Sequence, residues 1–342
     1  MDSLTQAALG ASLAGAVAGK TLGRSVLLTG AVLGTLPDLD VVIDYGTAVA
    51  NFTQHRGFSH SLFILAPLAV VLAWLLWRWK PQLSFQRWLA LTGLILITHP
   101  LLDSFTTYGT QLFWPIGPPV AISSIFIIDP LYTLPLLAGC LFFLARPPAK
   151  SAVIAGLAVS TLYLGWSLIA QQVITQRVQP VLAEAGLDVP DLLVQPMPFN
   201  TLLWRATALQ GGQRVEIVTG FLDGDNPLNL EYFPRRTDLQ EAVSDLPEAQ
   251  RLEWFTRGFL AYDQVGDRIM ATDIRLGIPG AHPFTFVLAT RNGSGIDPTA
   301  SFRTPRPDVN TEALGLLWSR MTGETPVLCL ASLSSPAPGQ RC

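Results

Sequence analysis

Three short stretches hold most of the side chains in the first half of this 342-residue chain that could bind a metal or move a proton. "LPDLDVVIDYG" carries Asp38, Asp40 and Asp44, "HRGFSHSL" carries His55, Arg56 and His60, and "THPLLDSFTTYG" carries His99 and Asp103. Imidazole and carboxylate together suit zinc, manganese or iron, because imidazole favours the transition metals over calcium and magnesium. His99 and Asp103 are four apart, so a continuous helix shows them on one face, one turn apart. Pro100 between them removes a backbone hydrogen bond and bends many helices. About three protein ligands and one open position would admit a water whose pKa the metal lowers toward ~7, which is the chemistry of metal-assisted hydrolysis. His55, His60, His99 and Asp103 are the first candidates for ligands of such an ion, with zinc or manganese expected. Asp38 and Asp40 are candidates to bridge a second metal or to supply a general base. Arg56, with its planar fork of donors, would meet an anionic group such as phosphate.

Each piece also has a plain structural reading. A single histidine at a membrane interface usually finds a carbonyl or a water, "PDLD" is a common turn, and Arg56 could anchor to lipid headgroups. Thr106 and Tyr108 could position a substrate, but loop residues of these types are more often structural. What weighs against the plain reading is the grouping. Three of the chain's four histidines fall within 45 positions, in a half of the chain that is otherwise poor in ionisable groups. Such groups in or near membrane segments are costly and are functional suspects.

The elements that must position them are apolar. The chain is 49% hydrophobic and 14% charged, against about 25% charged in an ordinary soluble chain. Fifteen of the 47 Asp, Glu, Lys and Arg residues lie in positions 1–180 and 32 in positions 181–342, so two solvents are implied. Six segments are expected: Leu4 to Gly19, Ser25 to Pro37, Phe58 to Trp77, Trp88 to Leu102, Leu131 to Ala145 and Ser151 to Ala170. The first two are rich in small residues, which let helices approach closely in a bilayer. Several fall short of the ~20 residues a full crossing takes, and the first could lie in the interface instead. The N-terminal run has no basic leader, reads poorly as a cleavable signal and is expected to be retained.

Basic residues favour the cytoplasmic side of short loops. Lys20 and Arg24, then Arg78, Lys80 and Arg87, then Arg146 and Lys150 follow the first, third and fifth segments, whereas the alternate connections hold only Arg56. That split puts the N-terminus, the His55 loop and everything after about residue 175 outside the cytoplasm. It also puts all three polar stretches on that same side, although none of their acids or histidines was used to derive it.

The expected fold is therefore an α-helical membrane bundle of about six segments, residues 1–174, followed by a small soluble extracytoplasmic α+β domain, residues 175–342. In that second part "LLWRATAL", "RVEIVTGFL", "LEWFTRGFLAYDQ", "DRIMATDIRLGI" and "FTFVLATR" read as β-rich runs between Gly, Asp, Asn and Pro clusters. "LQEAVSDLPEAQRLEWF" reads as a helix among them. A net charge of −3 with no basic stripe argues against a nucleic-acid partner. Cys140, Cys329 and Cys342 show no CxxC spacing, so no zinc ribbon or thioredoxin-like motif is indicated. Cys329 and Cys342 would share a compartment where disulfides persist, but two free thiols are the favoured expectation.

"LPDLD", "HRGFSHSL" and "THPLLDSFTTYGTQLFWP", in this order, resemble the YdjM family of inner-membrane, metal-dependent hydrolases. The resemblance covers roughly residues 1–175 and implies that Asp38, Asp40, His55, His60, His99 and Asp103 occupy the family's polar motif positions. One departure stands out: "MDSLTQ" has Gln6 where many relatives resemble D-x-L-T-H. The family also carries a LexA-binding description, which the topology disfavours because the polar site faces away from the cytoplasm. The function expected is a metal-dependent hydrolase acting on a phosphoester or lipid-linked substrate, with membrane lipid around it. The alternative is a non-enzymatic membrane protein that binds or conducts a metal ion or proton.

Overall fold

The first helix, α1 (Ser3–Leu22), starts where the Asp2 carboxylate accepts from the backbone N–H groups of Leu4 and Thr5, both at 3.1 Å, and stops at Gly23, whose φ of +63° a side chain would resist. It packs along α2 (Ser25–Thr35) through glycines. A Cβ on Gly10 would collide with the Gly30 carbonyl oxygen, and one on Gly34 would lie 2.5 Å from the Gln6 carbonyl oxygen. The computed structural model describes residues 1–187, 191–224, 226–293, 295–306, 311–323 and 328–330. Contacts divide the chain into two units, the first comprising Met1–Ile43, His55–Ile169 and Pro198–Asn200, the second Asp44–Gln54, Ala170–Met197 and Thr201–Cys342.

In the first unit α2 runs into a 3-10 turn, Pro37–Val42, and a second 3-10 turn, Phe58–His60, leads into α4 (Leu62–Trp79). α5 (Phe85–Asp103), α6 (Pro130–Ala145) and the start of α7 (Lys150–Glu184) complete it. Thr92 Oγ1 donates to the Ala69 carbonyl at 2.9 Å and ties α5 to α4. Of the six expected segments, α4 and α7 are long and apolar enough to cross a membrane. α2 has 11 residues and α6 has 16. At 1.5 Å per residue these reach about 16 and 24 Å, short of a ~30 Å hydrocarbon core. α2 is cut short because Pro37 begins the 3-10 turn.

The outer faces are apolar. Phe63, Val70, Val71 and Trp74 on α4, Leu134 and Leu141 on α6, and Val159 and Leu162 on α7 are exposed, a surface that water does not tolerate and lipid does. The seven basic residues gather at one end: Arg24 Nε donates to the Leu144 carbonyl at 2.8 Å, and Arg87 Nη2 to the Val17 carbonyl at 3.0 Å. His99 and Asp103 lie at the opposite end of α5, in its last turn.

The second unit holds two antiparallel four-stranded sheets with short helices. The first sheet runs in order β1 (Leu192–Pro196), β2 (Leu203–Gln210), β3 (Gln213–Gly220), β4 (Leu230–Pro234), and the second β5 (Leu260–Val265), β6 (Arg268–Asp273), β7 (Thr285–Asn292), β8 (Gly295–Arg303). Ala170, Ile174, Val178 and Leu182, spaced by four along α7, pack on Val194, Trp204, Ala206 and Ile217. The helix read in "LQEAVSDLPEAQRLEWF" is two, α8 (Thr237–Val243) and α9 (Pro247–Thr256), because Pro247 opens a new helix at its first position. "LEWFT" is thereby helical, not extended. α10 (Thr311–Met321) follows β8. The segment Asp44–Gln54, which includes α3 (Ala48–Gln54), packs here, with Phe52 against Phe255, Phe284 and Phe286. Cys140 is free and buried. Cys329 is disulfide-bonded, which corrects the expectation of a free thiol there; its expected partner, Cys342, lies outside the described residues.

His282 gives this unit an acid sensitivity. Its Nδ1 donates to the Leu276 carbonyl at 2.7 Å and its Nε2 accepts from Arg214 Nη2 at 3.3 Å. Burial, then the charges of Arg214 and Arg205, push the imidazole down to about 3. The unfolded chain takes up the proton near its ordinary value of about 6.5, so the unfolded state binds more protons between the two values and stability falls as pH drops through that window. Between pH 5.5 and 4 the slope should approach about 1.4 kcal/mol per pH unit, read from hydrogen exchange of the β7 amides. His282→Gln should flatten it; an unchanged slope would assign it to another group.

Candidate metal centre

Four potential ligand atoms converge in the first unit. Asp38 sits on the Pro37–Val42 turn, His60 ends the Phe58–His60 turn, and His99 and Asp103 occupy the last turn of α5. One ligand atom from each lies within 4.8 Å of all the others. His60 Nε2 stands 3.1 Å from His99 Nε2, 3.4 Å from Asp38 Oδ1 and 3.2 Å from Asp103 Oδ2. His99 Nε2 is 3.5 Å from each of the same two oxygens. Ligands at the ~2.0–2.1 Å typical of zinc sit about 3.3–3.4 Å apart at the corners of a tetrahedron. Five of the six edges of this group are already near that length. Pro100 does not break the helix before Asp103, so the four-residue spacing holds.

The proton positions, assigned from the network, leave lone pairs pointing inward. His99 Nδ1 lies 2.6 Å from the Gly34 carbonyl, which can only accept, so Nδ1 carries the proton. Ser59 Oγ donates to Asp40 Oδ2 at 2.7 Å and therefore accepts from His60 Nδ1 at 2.9 Å. Both Nε2 atoms then face Asp38 Oδ1 and Asp103 Oδ2, two buried oxygens without a hydrogen-bond partner among the described residues. Four acceptors around one point repel one another unless a cation or a proton sits among them, and the donor set fits a divalent cation.

Asp40 and His55 stand apart from this group and pair with each other, His55 Nδ1 to Asp40 Oδ1 at 2.9 Å. Asp40 also accepts from the Arg56 backbone N–H at 2.8 Å. Burial would raise its carboxyl, but the bonds from His55, Ser59 and Arg56 outweigh that and hold it below the usual range. Asp40 thus orients His60 through Ser59, the outer-partner arrangement common around metal-binding histidines. Asp44 is elsewhere, bonded to Asn51 in the second unit.

Arg56 is buried, with its Nε 3.3 Å from Asp103 Oδ2 and its Nη2 donating to the Met1 carbonyl at 3.1 Å. Its Nη1 is buried without a hydrogen-bond partner among the described residues, and Tyr108 lies beneath the guanidinium, 5.3 Å away. Its φ of +59° is a left-handed value that costs a side chain energy, which is typical of functional sites. Thr106 caps the site helix by donating to the Asp103 carbonyl at 2.7 Å. The Met1 ammonium contacts Asp103 Oδ1, and Gln6 Nε2 donates to that oxygen at 3.0 Å and to the His99 carbonyl at 3.1 Å. Gln6 therefore serves as a donor behind the ligand atoms. Ser59 and the Gly34 carbonyl were not singled out from sequence. Ser59 could have been, as a hydroxyl beside a candidate ligand; a backbone carbonyl carries no such mark.

The description "YdjM inner membrane protein" matches residues 1–174. The chain belongs to the YdjM family. Its similarity to "Inner membrane protein YbcI" of Escherichia coli (strain K12) is 34% identity over 112 residues, 32% of this chain and 64% of that protein. "Uncharacterized protein YfhP" of Bacillus subtilis (strain 168) is 27% identical over 215 residues, 60% of this chain and 64% of that protein. The chain thus spans just under two thirds of each curated relative. No solved structure matches. The YdjM match takes in all four convergent residues together with Ser59, Asp40, His55 and Arg56, and it makes this an inner membrane protein with two candidate spans.

Proposed function

We propose that Asp38, His60, His99 and Asp103 hold a divalent cation, zinc or manganese first, and that the chain is a membrane-bound hydrolase of phosphoester or lipid-linked substrates. The observation that carries this reading is the set of four inward-facing acceptors spaced 3.1–3.5 Å along five edges. A cation there would supply a Lewis acid and lower the pKa of a bound water. The chain's own groups supply the rest. Ser59 and Gly34 fix the two imidazoles, Arg56 offers Nη1 to an anionic group, and the Asp40–His55 pair is placed to take or return a proton. His55 is thereby moved from ligand to proton carrier.

A conducting site is the rival reading, and the interior disfavours it. Between the site and the basic end, Ala14, Leu27, Leu91, Ile95 and Phe143 pack into an apolar cluster, whereas an ion path needs polar groups in continuation. The test is the metal content of detergent-purified protein beside His55→Ala and His99→Ala, followed by stripping, reloading and assay on aryl phosphoesters. Wild type and His55→Ala should retain metal and His99→Ala should not. Retention by His99→Ala, or metal without any metal-dependent hydrolysis, would remove the ligand set or the reaction respectively.

The same reading places the site and the second unit outside the cytoplasm, with six segments embedded and membrane lipid as neighbour. A LexA-type cytoplasmic partner then has only the basic connections to meet. A cysteine introduced at Gly224 should react with an impermeant thiol reagent once the outer barrier is opened, and one at Pro148 should not. Reversed labelling would turn the site toward the cytoplasm.

A further inference from the structure

Asp38 is the one member of the four whose side chain reaches the surface, 15% exposed against 0–1% for the others. The turn that carries it continues as Leu39, Val41, Val42 and Ile43, which are 57%, 70%, 80% and 40% exposed. On the adjoining turn Phe58 is exposed beside His60, and Phe63 follows at the start of α4. No aqueous surface keeps such a run of bare aliphatic side chains without a reason. The run is also continuous with lipid-facing surface: Leu28 and Val32, four apart on one face of α2, lead into it from one side, and the exposed face of the span α4 leads from the other.

We infer that Leu39–Ile43 is a lip seated in lipid, along which an amphiphilic substrate slides its ester head to the Asp38 side while its acyl chains remain in the bilayer. This rests on the metal-site reading above and narrows its substrate to a molecule with long apolar chains and an anionic or ester head. The geometry gives the reason. The accessible edge of the site is bordered by Leu39 on the same turn, so a fully hydrated substrate would have to approach over apolar surface, whereas a lipid approaches along its own solvent. Occupancy by acyl chains matches side chains that are aliphatic and unpaired; a protein partner would bring polar rim contacts that this turn does not offer.

Photocrosslinking in nanodiscs of phosphatidylethanolamine and phosphatidylglycerol tests the lip directly. Benzoylphenylalanine in place of Val42 should yield lipid adducts by mass spectrometry at least tenfold above the same label in place of the exposed Gln213 of β3. The triple variant Leu39→Ser, Val41→Ser, Val42→Ser should keep its metal content and lose at least tenfold in hydrolysis of a long-chain nitrophenyl phosphoester relative to bis(nitrophenyl) phosphate. Absence of lipid adducts at Val42, or an equal fall for both substrates, overturns the lip. Adducts at Val42 with hydrolysis of neither substrate support the lip and overturn the reaction class instead.

Discussion

Alanine at His60 or His99 is expected to lower metal affinity by at least about 100-fold, beyond the ~10–100-fold that loss of an outer partner costs. Each imidazole supplies one of four convergent atoms, with no spare ligand among the other three. Ser59→Ala should fall in the smaller range, since it removes the group that fixes the His60 ring but leaves Nε2 in place. Asp103→Ala is a less clean variant. Its carboxylate also faces Arg56 and the Met1 ammonium, and stripping one partner from a buried ion pair destabilises by about 3–5 kcal/mol. Metal analysis after chelator dialysis, with size-exclusion profiles to confirm folding, measures the series. Wild-type occupancy in both histidine variants would dissolve the site.

Gly34→Ala is expected to cost nearly as much without touching a ligand. The new Cβ would lie 2.5 Å from the Gln6 carbonyl oxygen and 3.2 Å from Gly10 Cα, forcing α1 and α2 apart. Overpacking of this kind destabilises by about 1–3 kcal/mol. The same shift carries off the carbonyl that holds His99 Nδ1 at 2.6 Å, so metal affinity should fall about 10–100-fold as well. Gly30→Ala crowds the same helix pair but removes no bond to His99, and Gly93→Ala meets nothing within 4 Å. Stability losses in both Gly34→Ala and Gly30→Ala, with the affinity loss confined to Gly34→Ala, would separate the two effects. Equal affinity losses would reduce Gly34 to a packing residue.

The residues of the site were largely legible in the sequence because chemistry-bearing side chains are rare in an apolar half, and rarity marks them. Their division of labour was not. Asp38 and Asp40 are two apart in one turn, and nothing in "PDLD" says that Asp38 faces the cluster while Asp40 turns to Ser59 and His55. That choice is made by the 3-10 geometry of the turn, whose roughly three residues per turn send the two carboxylates to different neighbours. His55 looked like His60 in composition, but Arg56 takes a left-handed backbone between them and re-aims the chain. Segment lengths misled for a related reason. Hydropathy runs on through Pro37, while the helix does not. In the second unit the single helix expected before "GFLAY" became two at Pro247, a break that the proline announces and the periodicity hides.

The placement of Asp44–Gln54 has a consequence for how far this chain can be divided. The backbone passes between the units not once near residue 170 but also at 43–44, 54–55, 197–198 and 200–201. A single cut at 169–170 would therefore leave each piece holding residues of the other unit, the α3 segment on one side and residues 198–200 on the other. A gene truncated at the family boundary of residue 174 would strip Phe52 of Phe255, Phe284 and Phe286. The apolar plug would then hang from the very loop that joins Asp40 to His55. A chain ending at that boundary would have to cover or shorten the loop in another way, so the loop's length and its aromatic Phe52 are tied to the half that follows.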